Sequence, residues 1–259
     1  MIEAVVFDWA GTTVDFGSFA PVIAMQKAFA SLGVEPTTDE IRAPMGLNKK
    51  AHIEAMLAQP RLASLLQSSL GSPPDIAVVD AIYQNFEQLL FAELPEHSEL
   101  LPAVLEVMSW LRLRGIAIGS TTGYTRAMME SLSALARLQG YVPDCLVCAE
   151  DVDGMGRPYP YMLWRNLQKL KISSAAGTLK VGDTASDIAE AKNAGCLAVA
   201  VIRGSSLLGL SAEELGRLEV AEIEVRFADA GRRFFAAGAD YVLDELAELP
   251  KLIEALDSL

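Results

Sequence analysis

MIEAVVFDWAGTTVD, residues 1–15, is the stretch from which the fold follows. Its run Ala4–Phe7 is apolar at every position and stops on Asp8, just ahead of a glycine-containing turn. A continuous apolar run, as opposed to an alternating one, suits a strand buried on both faces. Comparable runs recur at Ile116–Thr121, Cys145–Cys148, Thr178–Val181, Ala198–Ile202 and Tyr241–Leu243, each followed by a turn and a helix-length amphipathic stretch. That alternation predicts an α/β fold with a doubly wound, Rossmann-like parallel sheet as its core.

The first interval breaks the rhythm. About 100 residues separate Asp8 from Ile116 without a convincing strand, whereas a parallel crossover needs only about a dozen. Ala20–Leu32, Lys49–Leu57 and Ile76–Phe91 read as helices within it, and Pro102–Arg114 as the helix that returns the chain to the core. The excess predicts an inserted α-helical cap domain, left through the flexible pair Gly17-Ser18. The expected division is core 1–16, cap 17–98 and core 99–259.

Composition narrows the function classes. The 259 residues are 51% hydrophobic, with 21 basic against 34 acidic side chains and a net charge of −13. Such a field repels polyanions, so neither a nucleic acid nor an anionic membrane is expected as a partner. No window reaches about 18 uninterrupted apolar residues, and the N-terminus enters the first strand directly, so a cytoplasmic location is expected. Three cysteines make an odd count suited to a reducing compartment. Cys145 and Cys148 form a C-x-x-C spacing inside the apolar run CLVC, and without a second ligand pair they read as core residues.

In open α/β sheets ligands sit beyond the carboxyl ends of the strands. Asp8, Thr122 and Asp183 hold those places, in FDWAGTTVD, IGSTTGY and KVGDTASD. A carboxylate such as Asp8 can attack phosphorus and form an aspartyl-phosphate. Its anionic substrate needs positive charge nearby, which Mg²⁺ on the hard oxygens of Asp8, Asp183 and Asp187 can supply, together with Arg157 in GMGRPYP. Each residue alone also has a plainer explanation. Thr184 and Asp187 fit a capping box, Arg157 a surface ion pair, and Thr122 an ordinary turn after a strand.

Taken together, FDWAGTTVD, IGSTTG, a downstream arginine and VGDTxxD resemble the four motifs of the haloacid dehalogenase superfamily across the whole core. In that superfamily the first motif usually reads DxD, its second aspartate serving as acid/base toward an ester leaving group. Ala10 stands at that position. A methyl group cannot shuttle a proton, which removes a contribution of roughly 10²–10⁴-fold to ester hydrolysis.

A second motif lies in the predicted cap. PMGLNKKAHIEAM resembles the signature of the phosphonoacetaldehyde hydrolases, and FDWAGTTVDFGSFAP and IGSTTGYTR are similar to the same family. The resemblance implies a small phosphonate substrate, cleaved to acetaldehyde and phosphate. It makes Lys49 the Schiff-base lysine and Asp8 the nucleophile, with Mg²⁺ on the Asp8 carboxylate, the Ala10 carbonyl and Asp183, and Asp187 nearby. It sets Thr122 and Arg157 on the phosphonate oxygens, and Met45, Gly46 and Tyr124 around the lysine. A homodimer made through the caps is implied as well. On a helix continuing from Lys49, His52 falls three residues on along the same face, where it can help move protons. To condense, Lys49 must be unprotonated, which requires burial or neighbouring positive charge to lower its pKa.

Plainer readings of these cap residues are a solvated Lys49-Lys50 pair, a polar contact for His52 and core packing for Met45. Two other functions compete. A phosphatase or phosphomutase of the same superfamily is disfavoured by Ala10, and a non-catalytic binding protein by the joint presence of Asp8, Lys49, Arg157 and Asp183.

Overall fold

A computed structural model describes residues 1–258, so Leu259, the last residue of the expected core segment, lies outside the described residues. Six parallel strands form one sheet: β1 (Ala4–Phe7), β2 (Ala117–Thr121), β3 (Cys145–Val147), β4 (Thr178–Gly182), β5 (Leu197–Val201) and β6 (Tyr241–Leu243). Their order is β3-β2-β1-β4-β5-β6, the doubly wound arrangement that the apolar runs predict. Every residue of β1 is buried. Its side chains alternate between two cores, Val5 and Phe7 packing on one face of the sheet and Val6 on the other.

Five helices lie between β1 and the return to the sheet: α1 (Phe19–Ala30), α2 (Thr38–Arg42), α3 (Lys49–Leu57), α4 (Pro60–Leu70) and α5 (Ile76–Glu93). They form the inserted cap. Gly17 and Ser18 turn the chain out of the core with φ of 86° and 52°, and the Asp15 carboxylate receives the first free amides of α1, from Phe19 at 2.9 Å and Ala20 at 3.0 Å. Asp75 caps α5 by accepting from the Ala77 and Val78 amides. The stripe Val79, Ile82, Phe86 and Leu90 then faces inward. In α3, Asn48 is the cap and the buried face is Lys49, His52, Ile53 and Met56, the spacing of one side of a helix.

The remaining helices flank the sheet: α6 (Val104–Leu113), α7 (Arg126–Leu138), α8 (Tyr161–Leu170), α9 (Ala185–Ala194), α10 (Ala212–Gly216), α11 (Val220–Ala236) and α12 (Leu249–Asp257). The helix expected at Pro102–Arg114 is shorter at its start, because Ala103 takes a left-handed conformation with φ of 65° and helical geometry begins at Val104. Cys148 falls just beyond β3, and all three cysteines are buried free thiols. No helix among the described residues is long and apolar enough to cross a membrane.

Candidate active site

The sheet topology assembles the acidic floor. β1 pairs with β4, Phe7 beside Val181, so Asp8 and Asp183 emerge side by side at the point where the strand order reverses. Asp187, in the first turn of α9, completes a set of three buried carboxylates with oxygens within 4.8 Å of one another. Asp183 accepts from the Ser206 amide at 2.7 Å and the Thr12 hydroxyl at 3.2 Å. Burial, with Asp8 and Asp187 alongside, pushes its pKa up to about 8. Hard oxygens crowded until one of them resists ionising are chemically fitted to a divalent cation such as Mg²⁺.

Behind this floor runs a buried network of bases. Arg157 donates from Nη2 to Asp8 Oδ1 at 2.7 Å and to the carbonyl and hydroxyl oxygens of Thr121, each at 3.0 Å. Its Nε donates to Glu190 at 3.0 Å, and its Nη1 lies 3.0 Å from Asp187 Oδ1. Lys180, on β4, lies 2.8 Å from the same Asp187 oxygen. Burial works against the arginine's charge, but Asp187, Asp8 and Glu190 outweigh it and hold its pKa above the ordinary value. Burial likewise opposes ionisation of Asp187, and Arg157 and Lys180 overcome it, lowering its pKa. Asp187 also forms the capping box, accepting from the Thr184 hydroxyl at 2.6 Å and its amide at 3.2 Å. The capping role and the place in the acidic cluster are therefore filled together, and Arg157 is far from the surface.

The cap supplies the opposite wall. Lys49 is 4% exposed, with Nζ 4.8 Å from the Tyr124 ring centroid and 5.9 Å from that of Phe86. Its pKa is lowered to about 8, chiefly by burial, with Asp8 acting in the opposite sense and Arg157 adding to the lowering. His52 is set behind Lys49 with Nε2 2.8 Å from the Ile41 carbonyl. That carbonyl can only accept, so Nε2 carries the proton and Nδ1 keeps its lone pair. Burial and the nearby lysine push the His52 pKa down to about 3, so the ring is neutral. The Tyr124 hydroxyl is buried without a hydrogen-bond partner among the described residues.

Core and cap enclose a cavity of about 20 Å³ lined by Asp8, Ala10, Thr122, Tyr124 and Arg157 from below and Met45, Gly46 and Lys49 from above. Eight of the residues singled out in the sequence thus meet around one space. Asp183 adjoins through Asp8, whereas His52 and Asp187 stand behind it. Two glycines permit the close approach of cap to core. A Cβ on Gly46, where φ is +90°, would sit 2.4 Å from Thr184 Oγ1, and one on Gly123 would sit 2.7 Å from the Leu47 carbonyl oxygen.

Sequence reasoning passed over four contributors. Lys180 left a signal, a lysine inside an otherwise apolar strand, and Glu190 left a weaker one, being one turn beyond Asp187 on α9. Phe86 and Ser206 left none, since only the tertiary fold brings them to the site.

Comparison with known proteins follows the same lines. Residues 2–195 match the model of the haloacid dehalogenase-like hydrolases. The chain is 44% identical over 256 residues to the phosphonoacetaldehyde hydrolase of Bacillus cytotoxicus, covering 99% of this chain and 97% of that protein, and equally so to that of Bacillus cereus. The crystal structure of a phosphonoacetaldehyde hydrolase-like protein from Oleispira antarctica superposes with a TM-score of 0.97 at 36% identity, covering 99% of this chain and 93% of that one. The β-phosphoglucomutase of Clostridium difficile, at 16% identity and a TM-score of 0.64 over 88% of this chain and 98% of its own, shares the fold.

Proposed function

The chain belongs to the haloacid dehalogenase-like hydrolases and, within them, to the phosphonoacetaldehyde hydrolase family, and from that membership we propose that it cleaves the P–C bond of phosphonoacetaldehyde to give acetaldehyde and phosphate. The observation that carries the proposal is the pairing across one cavity of Asp8, beside Ala10, with a buried Lys49 of lowered pKa.

Expelling a carbanion directly from phosphorus is prohibitive at neutral pH. Lys49, as the free amine, attacks the aldehyde carbon, water departs, and the resulting iminium stands two bonds from phosphorus as an electron sink. Asp8 then attacks phosphorus, the P–C bonding pair moves into the iminium, and a neutral enamine remains on Lys49. Protonation at carbon and hydrolysis of the imine release acetaldehyde, while water cleaves the aspartyl-phosphate to phosphate. A carbon leaving group that departs in this way needs no acid at position 10, so alanine costs nothing there.

Arg157 and Thr122 hold phosphonate oxygens, and the two aromatic faces beside Lys49 keep water from re-protonating the amine. Neutral His52 offers Nδ1 as a proton acceptor on the lysine's side of α3. Mg²⁺, when bound by the Asp8 and Asp183 carboxylates and the Ala10 carbonyl, neutralises phosphonate charge. Asp187 stands beside that set and orients Arg157 and Lys180. With its cap taken as residues 17–98, the enzyme is proposed to form a homodimer through the caps and to work in the cytoplasm.

The test is incubation of the purified protein with phosphonoacetaldehyde and Mg²⁺. Equal amounts of acetaldehyde and phosphate are expected, with no activity on a panel of phosphate esters. Ester hydrolysis without acetaldehyde would point instead to a phosphatase.

A further inference from the structure

Among the contacts that seat the cap, one leads to the metal-binding carboxylates. Arg42, the last residue of α2, donates from Nη1 to the Gly17 carbonyl at 2.7 Å and to the Ser206 carbonyl at 3.0 Å. Its guanidinium also lies 5.3 Å from the Phe19 ring centroid at the start of α1. Gly17 belongs to the linker by which the chain leaves the core, and Ser206 to the loop after β5. The linker and loop are themselves joined, Gly17 donating to the Gly204 carbonyl at 2.7 Å. Ser206, whose carbonyl Arg42 grips, presents its own amide to Asp183 Oδ2 at 2.7 Å. A chain of three hydrogen-bonded groups therefore runs from a cap helix to a carboxylate of the proposed metal site.

On that side the Ser186 hydroxyl also donates to the Met45 carbonyl at 3.2 Å, but that bond does not touch the loop after β5. A cavity of about 510 Å³ opens beside the contact, lined by Arg42, Met45 and Asp39 from the cap and Asp183, Ser186 and Ser206 from the core. Arg42, at the edge of that cavity, is the α2 side chain that hydrogen-bonds the loop. Its charge, within electrostatic reach of Asp183, adds to the same coupling.

We propose that Arg42 is a positioning residue that couples closure of the cap to the aim of the Asp183 carboxylate. With the cap seated, the arginine clamps the Gly17 and Ser206 carbonyls and fixes the amide that orients Asp183. When the cap lifts, the clamp is withdrawn and the carboxylate loses that orientation. Linkage makes the effect reciprocal, so a cation on Asp183 favours the closed cap. The coupling rests on the metal site advanced under Proposed function.

The experiment compares the wild-type protein with Arg42→Met and Arg42→Lys, without substrate, by calorimetric titration with Mg²⁺ and by amide hydrogen exchange over residues 16–19 and 204–209. Arg42→Met is expected to weaken Mg²⁺ binding about tenfold, the usual loss when a group orienting a metal ligand is removed, and to speed exchange at Ser206 by a similar factor. Arg42→Lys, which keeps a charged donor, should fall between. Folded variants with wild-type Mg²⁺ affinity and wild-type exchange would overturn the proposal, whatever their melting temperatures, and Arg42→Lys decides if Arg42→Met does not fold. A wild-type protein that binds no Mg²⁺ would refute the metal assignment itself. Unchanged exchange at Ser206 in the variants would still refute the role of Arg42.

Discussion

Replacing Lys49 with methionine should make the metal-free protein more stable while abolishing its turnover. The side chain is buried against Phe86 and Tyr124, and its pKa lies at about 8 against an ordinary 10.5. At about 1.4 kcal/mol for each pH unit between those values, holding the ammonium in the folded pocket costs about 3 kcal/mol. The cost is borne in full below pH 8, where folded and unfolded chains are both protonated. Between pH 8 and 10.5 only the unfolded chain keeps the proton, so the wild-type protein gains stability with rising pH, and above 10.5 the penalty is gone. Methionine has a similar length and no charge. Lys49→Met should therefore exceed the wild type by up to about 3 kcal/mol at pH 7, or roughly 6–12 °C in melting temperature for a chain of this size, and the advantage should vanish by pH 10.5. Urea unfolding followed by circular dichroism in the presence of chelator, at pH 7, 9 and 10.5, measures it. A variant less stable than the wild type at pH 7, or a difference independent of pH, would refute the burial of a reluctantly charged amine.

Other perturbations separate the parts of the site. Asp183→Asn keeps an acceptor for the Ser206 amide but removes a charge from the cation site, so Mg²⁺-dependent turnover should fall below detection with the circular dichroism spectrum unchanged. Gly123→Ala places a methyl group 2.7 Å from the Leu47 carbonyl oxygen. Because backbone must yield, the cap seats imperfectly and steady-state kinetics should show kcat/KM reduced about 100-fold, as for displacements near 1 Å. Ala10→Asp adds negative charge beside Asp8 and a dianionic substrate, so phosphonate cleavage should not improve, and any new activity should appear on phosphate esters. A large gain in acetaldehyde release would contradict the account of the alanine.

Much of the site is local in the chain and was legible there. Asp8 and Asp183 follow apolar runs whose continuity already places them at strand ends, and Met45, Gly46, Lys49 and His52 lie within eight residues of one another. The cap was readable as an interval too long for a crossover, although its helices α2 and α4 were not singled out: α2 has only five residues to carry a period, and α4 buries only Leu62 and Leu66. What remained hidden depends on distant segments meeting. Phe86 reaches Lys49 only because α5 packs behind α3, and Ser206 reaches Asp183 only through the loop after β5. Asp187 shows why a local motif can mislead by being right: its capping box is real, yet the same carboxylate anchors Arg157 and Lys180.

Reductive trapping tests the central claim most directly. Borohydride added with phosphonoacetaldehyde or acetaldehyde should inactivate the enzyme irreversibly and leave a mass adduct on Lys49. The trapping rate should climb as the pH rises through about 8, where the buried amine loses its proton. Lys49→Arg should give neither adduct nor turnover, because a guanidinium stays charged. Lys50, exposed and paired with Asp80 at 2.7 Å, should remain unlabelled. An adduct on Lys50, or continued phosphonate cleavage with no lysine labelled, would contradict the Schiff-base account.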